Sequence, residues 1–121
     1  MTHRVSIEDL GATGDATEPV VVTVAGAEVA RSRKPKVLRE TGYPDRHYFP
    51  PEDVDFDRLE PSDTRTHCPF KGEASYWSFV AEDGTRWADV GWSYQEPIPE
   101  AEEIRGHLAF HGERVDIALQ R

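Results

Sequence analysis

The stretch Ser75-Tyr76-Trp77-Ser78-Phe79-Val80-Ala81-Glu82-Asp83-Gly84-Thr85-Arg86-Trp87-Ala88-Asp89-Val90-Gly91-Trp92-Ser93-Tyr94 decides the fold. Aromatic and aliphatic residues alternate with small or polar ones on either side of Asp83-Gly84. That dipeptide is a strong signal for a two-residue hairpin turn. With that turn, Trp77 lies opposite Val90, Phe79 opposite Ala88 and Ser75 opposite Trp92, an apolar set that belongs in the core. The other face pairs Tyr76 with Gly91, Ser78 with Asp89 and Ala74 with Ser93. It is polar apart from Val80 and Trp87 near the tip. A one-residue slip would turn one strand's side chains to the opposite face, so this register is a specific expectation.

Immediately upstream, Thr66-His67-Cys68-Pro69-Phe70-Lys71-Gly72-Glu73 holds the only cysteine, a neighbouring histidine, and a lysine between an aromatic residue and a glycine. Eleven of the twelve aromatic residues fall between Tyr43 and Tyr94, so the core and any site for a planar ligand draw on the same segment.

Outside this region the chain reads as more short strands. Residues 1–17 form a loosely held arm able to add one strand at Arg4 to Ile7, and residues 18–121 form a single β-rich domain. Val20 to Val24 and Glu28 to Ser32 make a hairpin around Ala25-Gly26. In Lys36-Val37-Leu38-Arg39-Glu40, alternation sets Glu40 on the face of Leu38, so the carboxylate sits at a sheet rim or points into a pocket. His47-Tyr48-Phe49 is a short strand stopped by Pro50-Pro51, with one helical turn after Pro51. The acidic segment from Asp53 to Asp63 reads as a surface loop pinned by Val54, Phe56 and Leu59. A short helix spans Pro99 to Arg105, and His107 to His111 pairs with Arg114 to Leu119 around Gly112-Glu113. The expected class is all-β: a compact barrel-like or tent-like folded antiparallel sheet with one short helix.

Composition narrows the functions. The 121 residues carry a net charge of −9 with no basic stripe, which disfavours nucleic acid and anionic membrane as partners. No apolar run approaches the roughly 20 residues of a membrane span, and the N-terminus lacks a signal-peptide core, so a cytoplasmic location is expected. A single cysteine forms no intrachain disulfide and no cysteine-caged zinc site.

The candidate catalytic residues are Glu40, Cys68 and Lys71. Glu40 is a candidate because a partly buried carboxylate can act as acid or base. Cys68 reacts as a thiolate if His67 or Lys71 stabilises it; otherwise it is a buried, inert thiol. Lys71, next to Gly72, can meet a phosphate or carboxylate, or pair with Glu73 on the surface. The ligand-binding candidates are Tyr48, His67, Lys71, Tyr76, Trp92 and Tyr94. Trp77, Trp87 and Trp92 could each stack a planar ligand; the hairpin register directs Trp77 and Trp92 to the core and leaves Trp87 the more open. His107 and His111 would share a strand face, but two histidines are a weak metal signal, and neither metal nor cofactor is expected.

Several separated motifs carry a resemblance: Glu40-Thr41-Gly42-Tyr43-Pro44, Tyr48-Phe49-Pro50, Leu59-Glu60-Pro61-Ser62-Asp63, Thr66-His67-Cys68-Pro69-Phe70-Lys71-Gly72, Ala74-Ser75-Tyr76-Trp77 and Trp92-Ser93-Tyr94. With Ala109-Phe110 and Val115-Asp116, they resemble, in order, the bacterial domain-of-unknown-function family four-two-seven, from about Val20 to Asp116. The resemblance implies a small, complex β fold and a site around Glu40, Tyr48, Cys68, Lys71 and Tyr76. It also brings a nucleotidyltransferase-like label, although the Gly-Ser and paired-Asp pattern of two-metal nucleotidyltransferases is absent. The leading expectation is a domain that binds a small anionic or planar molecule in a polar-aromatic pocket. The alternatives are an enzyme using Glu40, Cys68 or Lys71, and a protein-interaction module using the acidic segment.

Overall fold

The computed structural model describes residues 5–9, 18–69 and 71–119. Among the described residues, three antiparallel sheets make up the fold. The first has the order β1 (Val5–Asp9), β4 (Lys36–Glu40), β5 (Arg46–Tyr48). The second joins β10 (Val115–Leu119), β2 (Val20–Val24) and β3 (Ala27–Ser32). The third runs β6 (Leu59–Cys68), β7 (Gly72–Val80), β8 (Arg86–Pro97), β9 (Leu108–Phe110). A single bridge from Phe49, just after β5, to Leu108 of β9 connects the first and third sheets, and Ala30 of β3 bridges to Val54 in the segment that precedes β6. Among the described residues no sheet closes on itself, so the fold is mainly β without a closed barrel. The strand expected at Arg4 to Ile7 falls in β1, which pairs with β4 from Val5 to Asp9; the other residues of the expected arm, Arg4 among them, lie outside the described residues.

Local chemistry accounts for the hairpins. Ala25 (φ 50°) and Gly26 (φ 86°) form the two-residue turn with both φ positive that matches strand twist. The β7–β8 turn differs from expectation. Ala81 and Thr85 hydrogen-bond across Glu82-Asp83-Gly84, so the loop has three residues, ending on Gly84 at φ 88°. Further along, β8 bulges at Asp89 (φ 53°), whose N–H donates to Ser78 Oγ at 3.1 Å.

Turn and bulge together move the register. Phe79 pairs with Trp87, Trp77 with Gly91, Ser75 with Ser93, Tyr76 with Trp92, and Ala74 with Tyr94. The expected Trp77–Val90, Phe79–Ala88 and Ser75–Trp92 pairs are therefore corrected, and Ala88 is exposed. Trp92 joins Tyr76 on the face expected to be polar. Trp87, expected to be open, packs against the core beside Phe79.

Two apolar clusters hold the sheets together. One is built on Val22, Val24, Val29, Phe49, Phe79, Leu108 and Phe110, with Phe56 and Trp77 packed against it. The other is built on Leu38, Tyr48, Ala74, Tyr94, Ala101 and Ile104. Truncating a buried leucine such as Leu38 to alanine would cost about 2–5 kcal/mol.

Three further expectations need correction. The helical turn after Pro51 and the short helix from Pro99 are found as expected, but as 3₁₀ turns at Pro51–Asp53 and Pro99–Ile104, and among the described residues Phe56–Arg58 adds a third that was not expected. The segment from Asp53 to Asp63 is not a loop: Val54, Phe56 and Leu59 anchor it as expected, but from Leu59 it is strand β6. Finally, β9 does not pair with β10. It pairs with β8, and β10 lies against β2, leaving Ile117 and Leu119 exposed.

Candidate functional site

The first and third sheets present facing surfaces. On β4 and β5, Leu38 pairs with Arg46 and Lys36 with Tyr48. Alternation thus puts Glu40, Leu38, Arg46 and Tyr48 on one face. On β7 and β8 the corresponding set is Ala74, Tyr76, Trp92 and Tyr94. Between them lies a cleft of about 250 Å³ lined by Glu40, Tyr43, Pro44, Arg46, Lys71, Tyr76, Trp92, Tyr94 and His111.

Lys71 enters from the turn between β6 and β7. Its N–H donates to the Cys68 carbonyl at 3.2 Å and its carbonyl accepts from Ile98 N–H at 3.0 Å, which fixes the turn at both ends. The next residue, Gly72, has φ 116°, and a Cβ there would lie 3.0 Å from the Glu96 carbonyl oxygen, so glycine is required. The Lys71 ammonium donates to Glu40 Oε1 at 2.8 Å, with side-chain exposures of 14% and 4%. It also sits 5.9 Å from the centre of the Tyr94 ring.

Trp92 forms the opposite wall. Its Nε1 donates to the Tyr48 hydroxyl at 3.3 Å. The Arg46 guanidinium lies 5.4 Å from the Trp92 ring centre, and His111 meets the ring edge-on at 5.0 Å. Tyr76 is held by a 2.9 Å hydrogen bond between its hydroxyl and Thr66 Oγ1.

The electrostatics favour fixed protonation states. Burial pulls the Lys71 pKa down, but the Glu40 hydrogen bond and the nearby Tyr48, Glu40 and Cys68 charges outweigh it, and the net shift is upward. Burial pushes the Tyr94 phenol strongly up, reinforced by ionisable Tyr48, Cys68, Tyr76 and Glu40. Burial likewise raises Tyr48, against the opposing charge of Lys71. The ammonium thus stays charged and both phenols stay protonated at neutral pH.

Of the residues singled out from sequence, Glu40, Lys71, Tyr76, Trp92 and Tyr94 come together in the cleft. Tyr48 is fully buried behind it and orients Trp92. Cys68 is half-buried, packs against the second apolar cluster and does not line the cleft. His67 pairs with Glu73 across the hairpin, is exposed, and stands outside the cleft lining. Phe70 lies outside the described residues. His67, His107 and His111 do not gather: among the described residues no three His, Cys, Asp or Glu side chains form a metal-binding group. Tyr43, Arg46 and His111 line the cleft without having been sequence candidates for a binding role. Alternation back from Tyr48 would have found Arg46; nothing local marks His111.

The family model for NTP_transf_9, described as "Domain of unknown function (DUF427)", matches residues 13–121. The chain belongs to the DUF427 family. The match covers every strand from β2 onward and therefore both walls of the cleft. No curated protein matches the chain. Among the described residues of this DUF427 domain, no helix is long and apolar enough to cross a membrane.

Proposed function

We propose that this DUF427 domain binds a small planar anion in the cleft between β4–β5 and β7–β8. The observation that carries the reading is the Arg46 guanidinium, 5.4 Å from the Trp92 ring centre, at the wall of an aromatic-lined cleft. Clefts with aromatic walls and a few convergent polar groups are the usual form of small-molecule sites. Sequence alone pointed to Lys71 as the anion holder. Its ammonium is instead engaged by Glu40, so Lys71 shapes the floor and Arg46 is the group available to an incoming anion.

The protonation states favour binding over proton transfer. A charged Lys71 and two protonated phenols orient and donate hydrogen bonds, but none of them accepts a proton near neutral pH. The acidic segment offers less to a partner, because its charges are largely met within the chain. Asp53 accepts from Ser32 at 2.7 Å, Asp55 pairs with Arg58 at 3.2 Å, and Glu60 pairs with Arg86 at 2.8 Å.

A melting screen with nucleotides, sugars, and aliphatic and aromatic acids tests the reading. A ligand at 100 times its Kd stabilises by about 2.7 kcal/mol, which is a shift of several degrees in a domain of this size. The expected result is stabilisation by a planar anion that Trp92→Ala abolishes. Stabilisation unaffected by that substitution would place the ligand elsewhere and end the proposal.

A further inference from the structure

Resting on the binding reading above, we infer that the cleft selects an aromatic monocarboxylate: a flat ring carrying one carboxylate, and not a nucleotide or other polyphosphate. The charge inventory comes first. Three charged side chains, Glu40, Lys71 and Arg46, line the cleft together with the His111 imidazole. Glu40 and Lys71 satisfy each other at 2.8 Å. Among the described residues, Arg46 forms no ion pair, so one positive charge is left for a ligand. A triphosphate brings three to four negative charges into a protein already at net −9, with one guanidinium to meet them. The usual remedy is a bound divalent cation. The described residues gather no group of three carboxylate, imidazole or thiolate side chains to hold one.

Size and shape agree with the charge. About 250 Å³ is just below the usual range for ligand pockets, enough for a one- or two-ring acid and short for a nucleoside triphosphate. A guanidinium presents a planar fork of N–H donors that a carboxylate meets with two parallel hydrogen bonds. A ring conjugated or closely linked to that carboxylate then extends away from Arg46 along the aromatic wall that Trp92, Tyr76 and Tyr94 form on β7 and β8, three rings that offer stacking faces and edges but no further charge. Tyr43, 66% exposed at the rim beside Pro44, adds an apolar surface over the entrance.

The test uses the full chain and tryptophan fluorescence or calorimetry, with indole-3-acetate and benzoate against their neutral amides, and with AMP and Mg·ATP. The acids should bind about tenfold or more tightly than the amides, since the charge-assisted pair with Arg46 is lost in the amide. Arg46→Gln should bring acid affinity down to the amide level and leave amide binding unchanged. Arg46→Lys, which keeps the charge but not the fork, should fall between and guards against a folding defect in the first variant. Equal affinity for acid and amide, or tighter binding of AMP or Mg·ATP with a Trp92-dependent signal, overturns the inference but leaves the cleft as a binding site. No Trp92-dependent binding by any of these probes overturns the inference and the binding reading together.

Discussion

Lys71 Nζ and Glu40 Oε1 meet at 2.8 Å across 31 residues of sequence, joining the β6–β7 turn to the end of β4. Each group is desolvated and each is the other's counter-charge. Removing one takes the nearest counter-charge from the other in a poor dielectric, which costs more than the pair contributes as a whole. Lys71→Met should therefore destabilise the domain by about 3 kcal/mol, and Glu40→Gln by a comparable amount. The double variant should lose no more than either single variant, so it should be more stable than the sum of the two losses implies by about 3 kcal/mol. Urea unfolding of the four proteins measures this, and strict additivity would mean that the two groups are not coupled.

The turn Ala25-Gly26 supplies a stabilising prediction. Ala25 holds φ 50°, a conformation its Cβ disfavours, and its N–H donates to the Arg114 carbonyl at 2.8 Å. Asn tolerates this region far better than Ala, and Asn-Gly is the preferred pair for such a turn. Ala25→Asn should stabilise by about 0.5–1 kcal/mol while keeping the backbone bond. A lower melting temperature for the variant would contradict the assigned turn.

What the sequence revealed depended on how local the determinants were. The β2–β3 hairpin could be read because Ala25-Gly26 and the flanking valines carry the whole signal. The β7–β8 pairing could be read as a hairpin but not in register. Its slip comes from a three-residue turn where Asp83-Gly84 signals two, and from a bulge at Asp89, a non-glycine residue at φ 53°. Strand β6 was hidden because Pro61 and a run of polar residues interrupt it; it is an edge strand with few buried side chains. In the site, Glu40 could be read from alternation with Leu38, and Lys71 from its place beside Gly72. His111 could not, because it reaches the cleft only through the pairing of β9 with β8 and the bridge from Phe49 to Leu108.

Two glycines with positive φ should respond differently to alanine. Gly26 has φ 86° and open space around a built Cβ, so Gly26→Ala costs only the backbone preference, about 1 kcal/mol. Gly72 has φ 116°, and its Cβ would lie 3.0 Å from the Glu96 oxygen and 3.2 Å from Pro97 Cα, both backbone atoms that cannot swing aside. Gly72→Ala should cost about 3 kcal/mol and also move Lys71, so any ligand response should weaken with it. Equal melting shifts for the two variants would show that the close approach at Gly72 relaxes without cost.

The alkaline limb of the stability curve reports on the cleft directly. Lys71, Tyr48 and Tyr94 all have folded-state pKa values raised above their unfolded ones. For Lys71 burial opposes the shift and the Glu40 pair produces it; for the tyrosines burial itself is the leading cause. In each case the native state holds its proton more tightly. The resulting stability is complete below the unfolded values, about pH 10 for tyrosine and 10.4 for lysine, and is lost as pH rises toward the folded values. Each group adds a slope of up to about 1.4 kcal/mol per pH unit in that window. Urea unfolding at pH 7, 10 and 11 should show a plateau and then a steep fall. Tyr94→Phe has no phenol to titrate and should fall less steeply by about one such slope, even if it is less stable at pH 7. Parallel curves for the two proteins would mean that the Tyr94 phenol is no harder to ionise in the folded domain than in the unfolded chain.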